Sequence, residues 1–466
     1  MTRKVVINPV ERVHGDATLT LELEEGVVVR ARSTSLYFRG FEKILEGRDP
    51  RDAPYLTQRI CGICSAAHGV AAALALEDTA KVEVPQNGLL LRNIAFAADV
   101  LMNHITFMYM LALPDYFRGP PVPPLVPNPI TDYRLPQKQN QRLVESYSEA
   151  MKMRILAHEL AGLLSSKAPH QHGLIAGGFP LPPTAERVMA SLSMVARLRH
   201  FLNERLWPDL EIVAEFYPEY WLLGRGYGRL LAFPSFRVSN TGKVALAAGR
   251  VENRRVLELD PKRITEDVTR SWYSGTGTEK PEHGSTKPEP GKEGAYSWIK
   301  APRYDGKAYE TGPLARMWVN GYWRRGISTL DRLFARAKEA LLLTDLTEEW
   351  LRQLKPGEPT YRDFKVPKEA TGVGLTGAMR GALGHWVMIK GGRIAHYQII
   401  TPSAWNYSPA DATGQPGPVE KALEGTRVRD PENPTEAGRI LRSFDPCYSC
   451  AVHMSTAHGT KLWRVF

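Results

Sequence analysis

The chain has 466 residues, 43% hydrophobic and 24% charged, a composition that excludes disorder, collagen and coiled coil. Sixty basic and 50 acidic residues give a formal charge of +10, but the charges are dispersed and no recognition motif accompanies them, so no nucleic-acid partner is expected. No unbroken run reaches the ~18–20 apolar residues of a membrane span, and the N-terminus lacks the apolar core of a secretory signal. The expected location is cytoplasmic, or at a membrane through a partner, with co-export beside a smaller subunit left open.

In chain order, Ala17–Glu24 alternates apolar and polar residues, Glu25-Gly26 can turn, and Val27–Ser33 returns, which predicts a β-hairpin. Pro50 and Pro54 bracket a loop leading to the first cysteines. Leu89–Pro114 is apolar on most faces and predicts a buried core helix, with Asn93, Asp99, Asn103 and His104 arguing against lipid. A proline-rich loop, Pro120–Pro136, precedes helical patterns over Gln139–Ser166 and Thr184–Tyr217, the second opened by Pro183 and Thr184. Short strands are predicted over Phe233–Leu259. Thr269–Pro313 has the Gly, Pro and Lys content of a flexible loop. Thr329–Leu343 reads as a helix, and His385–Ile400 as a hairpin around Gly391-Gly392. No repeat or linker divides the chain. The expected fold is mainly α: a core of long helices with an N-terminal hairpin and small β appendages, one catalytic domain over residues 1–466.

The four cysteines form two C-x-x-C pairs, Cys61/Cys64 and Cys447/Cys450, near opposite ends of the chain. A disulfide framework belongs to short secreted domains, so one four-thiolate metal site is the better reading. Four thiolates suit zinc, iron–sulfur iron or nickel. Structural zinc is the plain alternative, but zinc pairs lie ~12–20 residues apart and staple small modules.

The flanking residues go further. Arg59-Ile60-Cys61-Gly62-Ile63-Cys64 with His68, and Asp445-Pro446-Cys447-Tyr448-Ser449-Cys450 with His453, resemble the motifs of the large, catalytic subunit of [NiFe] hydrogenases. Tyr37–Arg59, Tyr296–Arg316, Arg380–Trp386 and Tyr397–Asn406 resemble further segments of that family. The resemblance implies heterolytic cleavage of H2 at a nickel–iron centre whose iron carries one carbon monoxide and two cyanides. Cys61 and Cys447 would be terminal on nickel, and Cys64 and Cys450 would bridge. Arg380 would overhang the open site, paired with Asp445. Pro402 and Ser403 would line the diatomic ligands, and His68 would hydrogen-bond near a bridging sulfur. Glu42, the carbonyl of Ile399 and His453 would hold a magnesium ion.

Two departures stand out. Where the family has a proton-relaying glutamate, this chain has His14, in Arg12-Val13-His14-Gly15-Asp16; His14 or the neighbouring Glu11 is the candidate relay. Asn103 stands where many relatives have an aspartate beside the arginine. No cysteine remains for an iron–sulfur cluster in this chain, so the resemblance implies an obligate iron–sulfur small subunit, with a membrane quinone or cytochrome beyond it. It also implies nickel-insertion factors and a maturation protease that removes residues 454–466 after His453. The family's cysteine-free relative, the quinone-site subunit of respiratory complex I, is disfavoured by the intact quartet.

Overall fold

The computed structural model describes residues 2–122, 125 and 130–451, with side chains to Ser449. Cys450's side chain, His453 and residues 454–466 lie outside the described part.

The alternating N-terminal pattern places Ala17, Leu19, Leu21 and Leu23 on one buried face. Ala17–Glu24 pairs antiparallel with Val27–Ser35, as the hairpin reading expects. A third strand, Arg3–Ile7, joins the free edge of Ala17–Glu24. It is mostly exposed, so its sequence carries little periodic signal. The inner face of this sheet packs against Val419, Leu423, Ile440, Leu441 and Phe444. The start of the chain thereby lies against the segment leading to the second cysteine pair.

The core is helical. Gln86–Thr106 is buried on almost every residue and continues through a π-helical turn, Phe107–Ala112, and a 3-10 turn, Leu113–Asp115. Taken together as Gln86–Asp115 it is long and apolar enough to cross a membrane by length and composition, although polar residues interrupt its apolar run; 94% of its most apolar window is buried within the protein. Around it lie Ser65–Ala80, Gln137–Ser165, Ala185–Phe201 and Thr329–Gln353. Thr184 caps its helix by accepting from the Arg187 N–H at 3.2 Å. The single helix expected over Thr184–Tyr217 is interrupted by a π turn, Leu202–Leu206, before Trp207–Phe216. Pro208 has no N–H to continue the ladder there.

The segment 269–313 is not the loose loop its composition suggests. Thr278–Glu279 and Ala301–Tyr304 flank the strand Ile264–Asp267 on either side, and Ser271, Tyr273, Thr286, Ser297 and Arg303 are buried. Its backbone is tied by side chains: Lys292 Nζ donates to the carbonyls of Val268, Tyr273 and Gly275 at 2.5–2.8 Å.

The hairpin around Gly391-Gly392 is present as Gly381–Lys390 and Arg393–Ile400, with Glu369–Ala378 as a further strand. Gly374 is required there. A Cβ at that position would land on the Ala71 carbonyl, so the Ser65–Ala80 helix lies backbone to backbone on the sheet. That contact brings the helix led by Cys64 to the strand turn carrying Arg380.

Candidate metal centre

Cys61 follows the 3-10 turn Gln58–Ile60, and Cys64 is the N-cap of Ser65–Ala80, a helix end that attracts negative charge. The second motif is set by its backbone. Asp445 adopts φ 59°, and the N-terminal segment clamps the residues after it: the His14 N–H donates to the Pro446 carbonyl at 3.2 Å, and the Ser449 N–H donates to the His14 carbonyl at 3.3 Å. Cys61 Sγ and Cys447 Sγ are 3.5 Å apart, and with Cys64 the three buried sulfurs lie within 4.8 Å of one another. One soft ion, or a compact pair, spans that spacing.

Arg380 stands over a small enclosed cavity that Cys64, His68, Pro402 and Ser403 also line. Its Nε donates to Asp445 Oδ1 at 3.1 Å and its Nη2 to Asn103 Oδ1 at 2.8 Å. The buried Nη1 has no partner among the described residues. Burial pulls the guanidinium pKa down, but Asp445 and then the sulfurs of Cys447, Cys64 and Cys61 outweigh it and hold the group firmly charged. Asn103 keeps the contact expected of an aspartate while its Nδ2 donates to Asp445 Oδ2 at 3.0 Å. An ionised carboxylate at that point could accept from Arg380 but could not donate to Asp445.

Sequence reading missed the residues behind this pair. Arg336 Nη1 reaches Asp445 Oδ2 at 3.0 Å and His104 Nδ1 at 3.0 Å. A guanidinium only donates, so His104 Nδ1 accepts and its proton sits on Nε2, 2.9 Å from Glu339 Oε2. Glu339 in turn pairs with Arg316 at 2.7 Å. Burial lowers the His104 pKa to about 4, and Arg316 overcomes burial to lower that of Glu339 to about 2. Asp445 is likewise held ionised: burial opposes this, and Arg380 and Arg336 outweigh it. In the sequence Asp99 stands out only as a polar residue in an apolar helix. It is buried four residues before Asn103 on the same helix, and its Oδ2 accepts from the Ala66 N–H at 3.3 Å; burial raises its pKa to about 7. The i, i+4 spacing of Asp99 and Asn103 was the available signal.

The two relay candidates separate. His14 is half-buried and lines a hollow of about 270 Å³ with Arg39, Arg59, Cys61 and Ser449. Burial, then Arg380, lowers its pKa to about 4. Glu11 is exposed and lines a different groove with Arg3 and Glu432. It does not join the hollow beside the thiols, and between the two candidates the chain turns at Arg12, which adopts φ 54°.

Ser403 Oγ accepts from the Cys447 N–H at 3.3 Å, which leaves its own hydroxyl proton to donate. Pro402 opens the short helix Pro402–Asn406. His68 Nδ1 is 3.1 Å from His385 Nε2. Glu42 is buried; its Oε1 accepts from the Ile399 N–H at 3.1 Å and its Oε2 from the Thr286 hydroxyl. Nearby Glu266 and Lys300, unmarked in the sequence, are also buried, with the Glu266 pKa raised to about 7 by burial.

A family model described as nickel-dependent hydrogenase matches residues 39–118, 129–326 and 322–453. The chain belongs to the nickel-dependent hydrogenase family. It is similar to the periplasmic [NiFeSe] hydrogenase large subunit of Desulfomicrobium baculatum, 36% identical over 97% of this chain and 95% of the relative. It is 30% identical to the hydrogenase-2 large chain of Escherichia coli over the full length of both. A solved structure of the Ni-Fe-Se hydrogenase of D. vulgaris Hildenborough superposes with a TM-score of 0.94 at 37% identity, covering 97% of this chain and all of that one. The chain is thus the catalytic large subunit of a [NiFe]-type hydrogenase, an oxidoreductase acting on H2, with the helical fold and small sheets expected of it. Two of these relatives are named for selenium; both C-x-x-C pairs here are cysteine throughout. The hydrogenase donor set, three buried soft sulfurs near a charged Arg380 whose Nη1 has no partner among the described residues, suits a nickel–iron centre better than a zinc staple.

Proposed function

We propose that Cys61, Cys64, Cys447 and Cys450 hold a nickel–iron centre whose iron carries one carbon monoxide and two cyanides. This centre, when bound, supplies the redox chemistry that converts H2 to two protons and two electrons. The observation that carries the reading is the three buried sulfurs converging under the Arg380–Asp445 pair. Arg380 acts through Nη1, presented toward the cavity shared with Cys64, while Asp445, Asn103 and Arg336 fix its orientation. The Ser403 hydroxyl, which keeps its own proton while accepting from the Cys447 N–H, would donate to a bound diatomic ligand. His14 is the candidate to receive a proton on the Cys61 side, and His68 to donate near Cys64.

Electrons must leave the chain, since its four cysteines are committed and none remains for a cluster. An iron–sulfur small subunit takes them. The hollow beside Cys61, rimmed by Arg39 and Arg59, is where that partner would come nearest to the centre. Glu42, the Ile399 carbonyl and His453 are the proposed magnesium ligands. The whole chain would act as one catalytic unit after residues 454–466 are removed.

Metal analysis with infrared spectroscopy of the purified complex tests the reading. Nickel and iron in equal amounts, with carbonyl and cyanide stretching bands, are expected. Zinc alone, or the absence of those bands from nickel-loaded active protein, would refute it.

A further inference from the structure

Behind His68 lie two buried groups that the hydrogenase chemistry above does not use. His385 Nε2 faces His68 Nδ1 at 3.1 Å, and His385 Nδ1 faces the Tyr397 hydroxyl at 2.9 Å. His385 is fully buried, and Tyr397 is 1% exposed. His68 stands one helical turn after Cys64, on the same face of Ser65–Ala80, and lines the cavity with Cys64 and Arg380.

The protons in this chain of three can be placed by counting donors. The Tyr397 hydroxyl has one hydrogen-bond partner among the described residues, His385. If His385 Nδ1 carried a proton, Tyr397 would have to accept it, and the phenol's own proton would be buried without an acceptor. The low-cost arrangement has Tyr397 donating to His385 Nδ1. A phenol with an idle lone pair loses less than a buried O–H with nowhere to go. Burial raises the Tyr397 pKa and so keeps that proton in place. Burial, with His68 beside it, depresses the His385 pKa and keeps the ring neutral. A neutral His385 accepting at Nδ1 must carry its proton on Nε2, where it donates to His68 Nδ1. A proton on His68 Nδ1 would then collide with it across the 3.1 Å gap. The remaining position for the His68 proton is Nε2.

We propose that Tyr397 and His385 are positioning residues that fix His68 as the Nε2–H tautomer, turning an N–H toward the sulfur side of the Cys64 cavity. There it would withdraw electron density from a metal-binding thiolate and limit its basicity. No proton moves along the chain: one direction is favoured at every link, so Tyr397 acts as a terminal anchor rather than a relay.

The test rests on the nickel–iron reading, and it separates the two. His385→Gln keeps both functions, an amide N–H toward His68 and an amide oxygen toward Tyr397. His385→Leu removes both, and Tyr397→Phe removes the anchor alone. In the purified complex, His385→Leu should move the carbonyl stretching band to lower wavenumber, as the sulfur donates more to iron. Tyr397→Phe should move it the same way by less, and His385→Gln should leave it near the wild-type position. Should His385→Leu fail to assemble, the pair Tyr397→Phe and His385→Gln decides. A band unmoved in Tyr397→Phe, or moved as far in His385→Gln as in the other variants, overturns the proposal. Absence of any carbonyl or cyanide band in the wild type overturns the nickel–iron reading instead.

Discussion

Arg380 uses each nitrogen of its guanidinium differently: Nε on Asp445, Nη2 on Asn103, and Nη1 buried without a partner among the described residues. Lysine cannot reproduce that fork. Arg380→Lys is therefore expected to retain nickel and iron but to lose H2 oxidation by at least about tenfold, on the order of 1.4 kcal/mol of barrier. Near-normal turnover would remove Arg380 from the chemistry. His14 gives a second residue-scale test. If it relays protons, His14→Gln slows H2/D2 exchange and His14→Glu restores it, with infrared bands unchanged in both; unaffected exchange in His14→Gln sends the protons elsewhere. The resemblance made Arg380 and Asp445 legible because their flanking motifs are distinctive. Arg336, His104, Glu339 and Asp99 were not legible. Each is an ordinary polar residue in a helical stretch until tertiary packing removes its water and supplies a charged partner.

At the scale of elements, two helices meet through the buried pair His104 and Glu339, one on Gln86–Thr106 and the other on Thr329–Gln353. The pair makes the junction acid-sensitive. His104 has its folded pKa depressed to about 4, so as pH falls from about 6.5 the unfolded chain binds a proton that the folded chain refuses. Stability contributed by neutral His104 is thus complete above about pH 6.5 and declines until about pH 4. Glu339, with its folded pKa near 2, adds a further loss as pH falls from about 4.5 toward 2. Urea midpoints measured from about pH 7 to 5 should fall, and His104→Gln should flatten that slope. An equal slope in the variant would place the acid sensitivity elsewhere. The helix-on-sheet contact at Gly374 makes a different prediction. Gly374→Ala forces a methyl into the Ala71 carbonyl, should cost about 1–3 kcal/mol, and should displace the helix led by Cys64, lowering both the melting temperature and the nickel content. A variant with wild-type values for both would show that the backbone yields. Periodicity revealed the long helices and the Gly391-Gly392 hairpin well. It failed for 269–313, where order comes from hubs such as Lys292 whose carbonyl partners have no signature in sequence.

For the whole molecule, the far end of the chain carries a prediction of its own. Active, nickel-loaded protein is expected by intact mass to end at His453, and full activity with Phe466 still attached would defeat the maturation proposal. The backbone clamp between His14 and the Pro446–Ser449 segment has a wider consequence. The ribosome delivers these partners at opposite ends of its work. At ~5–20 residues per second, Cys61 and Cys64 emerge on the order of 20–75 s before Cys447. Through that interval the early thiols have neither their partner sulfurs nor the segment that His14 grips. The full ligand set is thereby tied to synthesis reaching the second pair: a message broken between Cys64 and Asp445 yields a chain with two of the four cysteines.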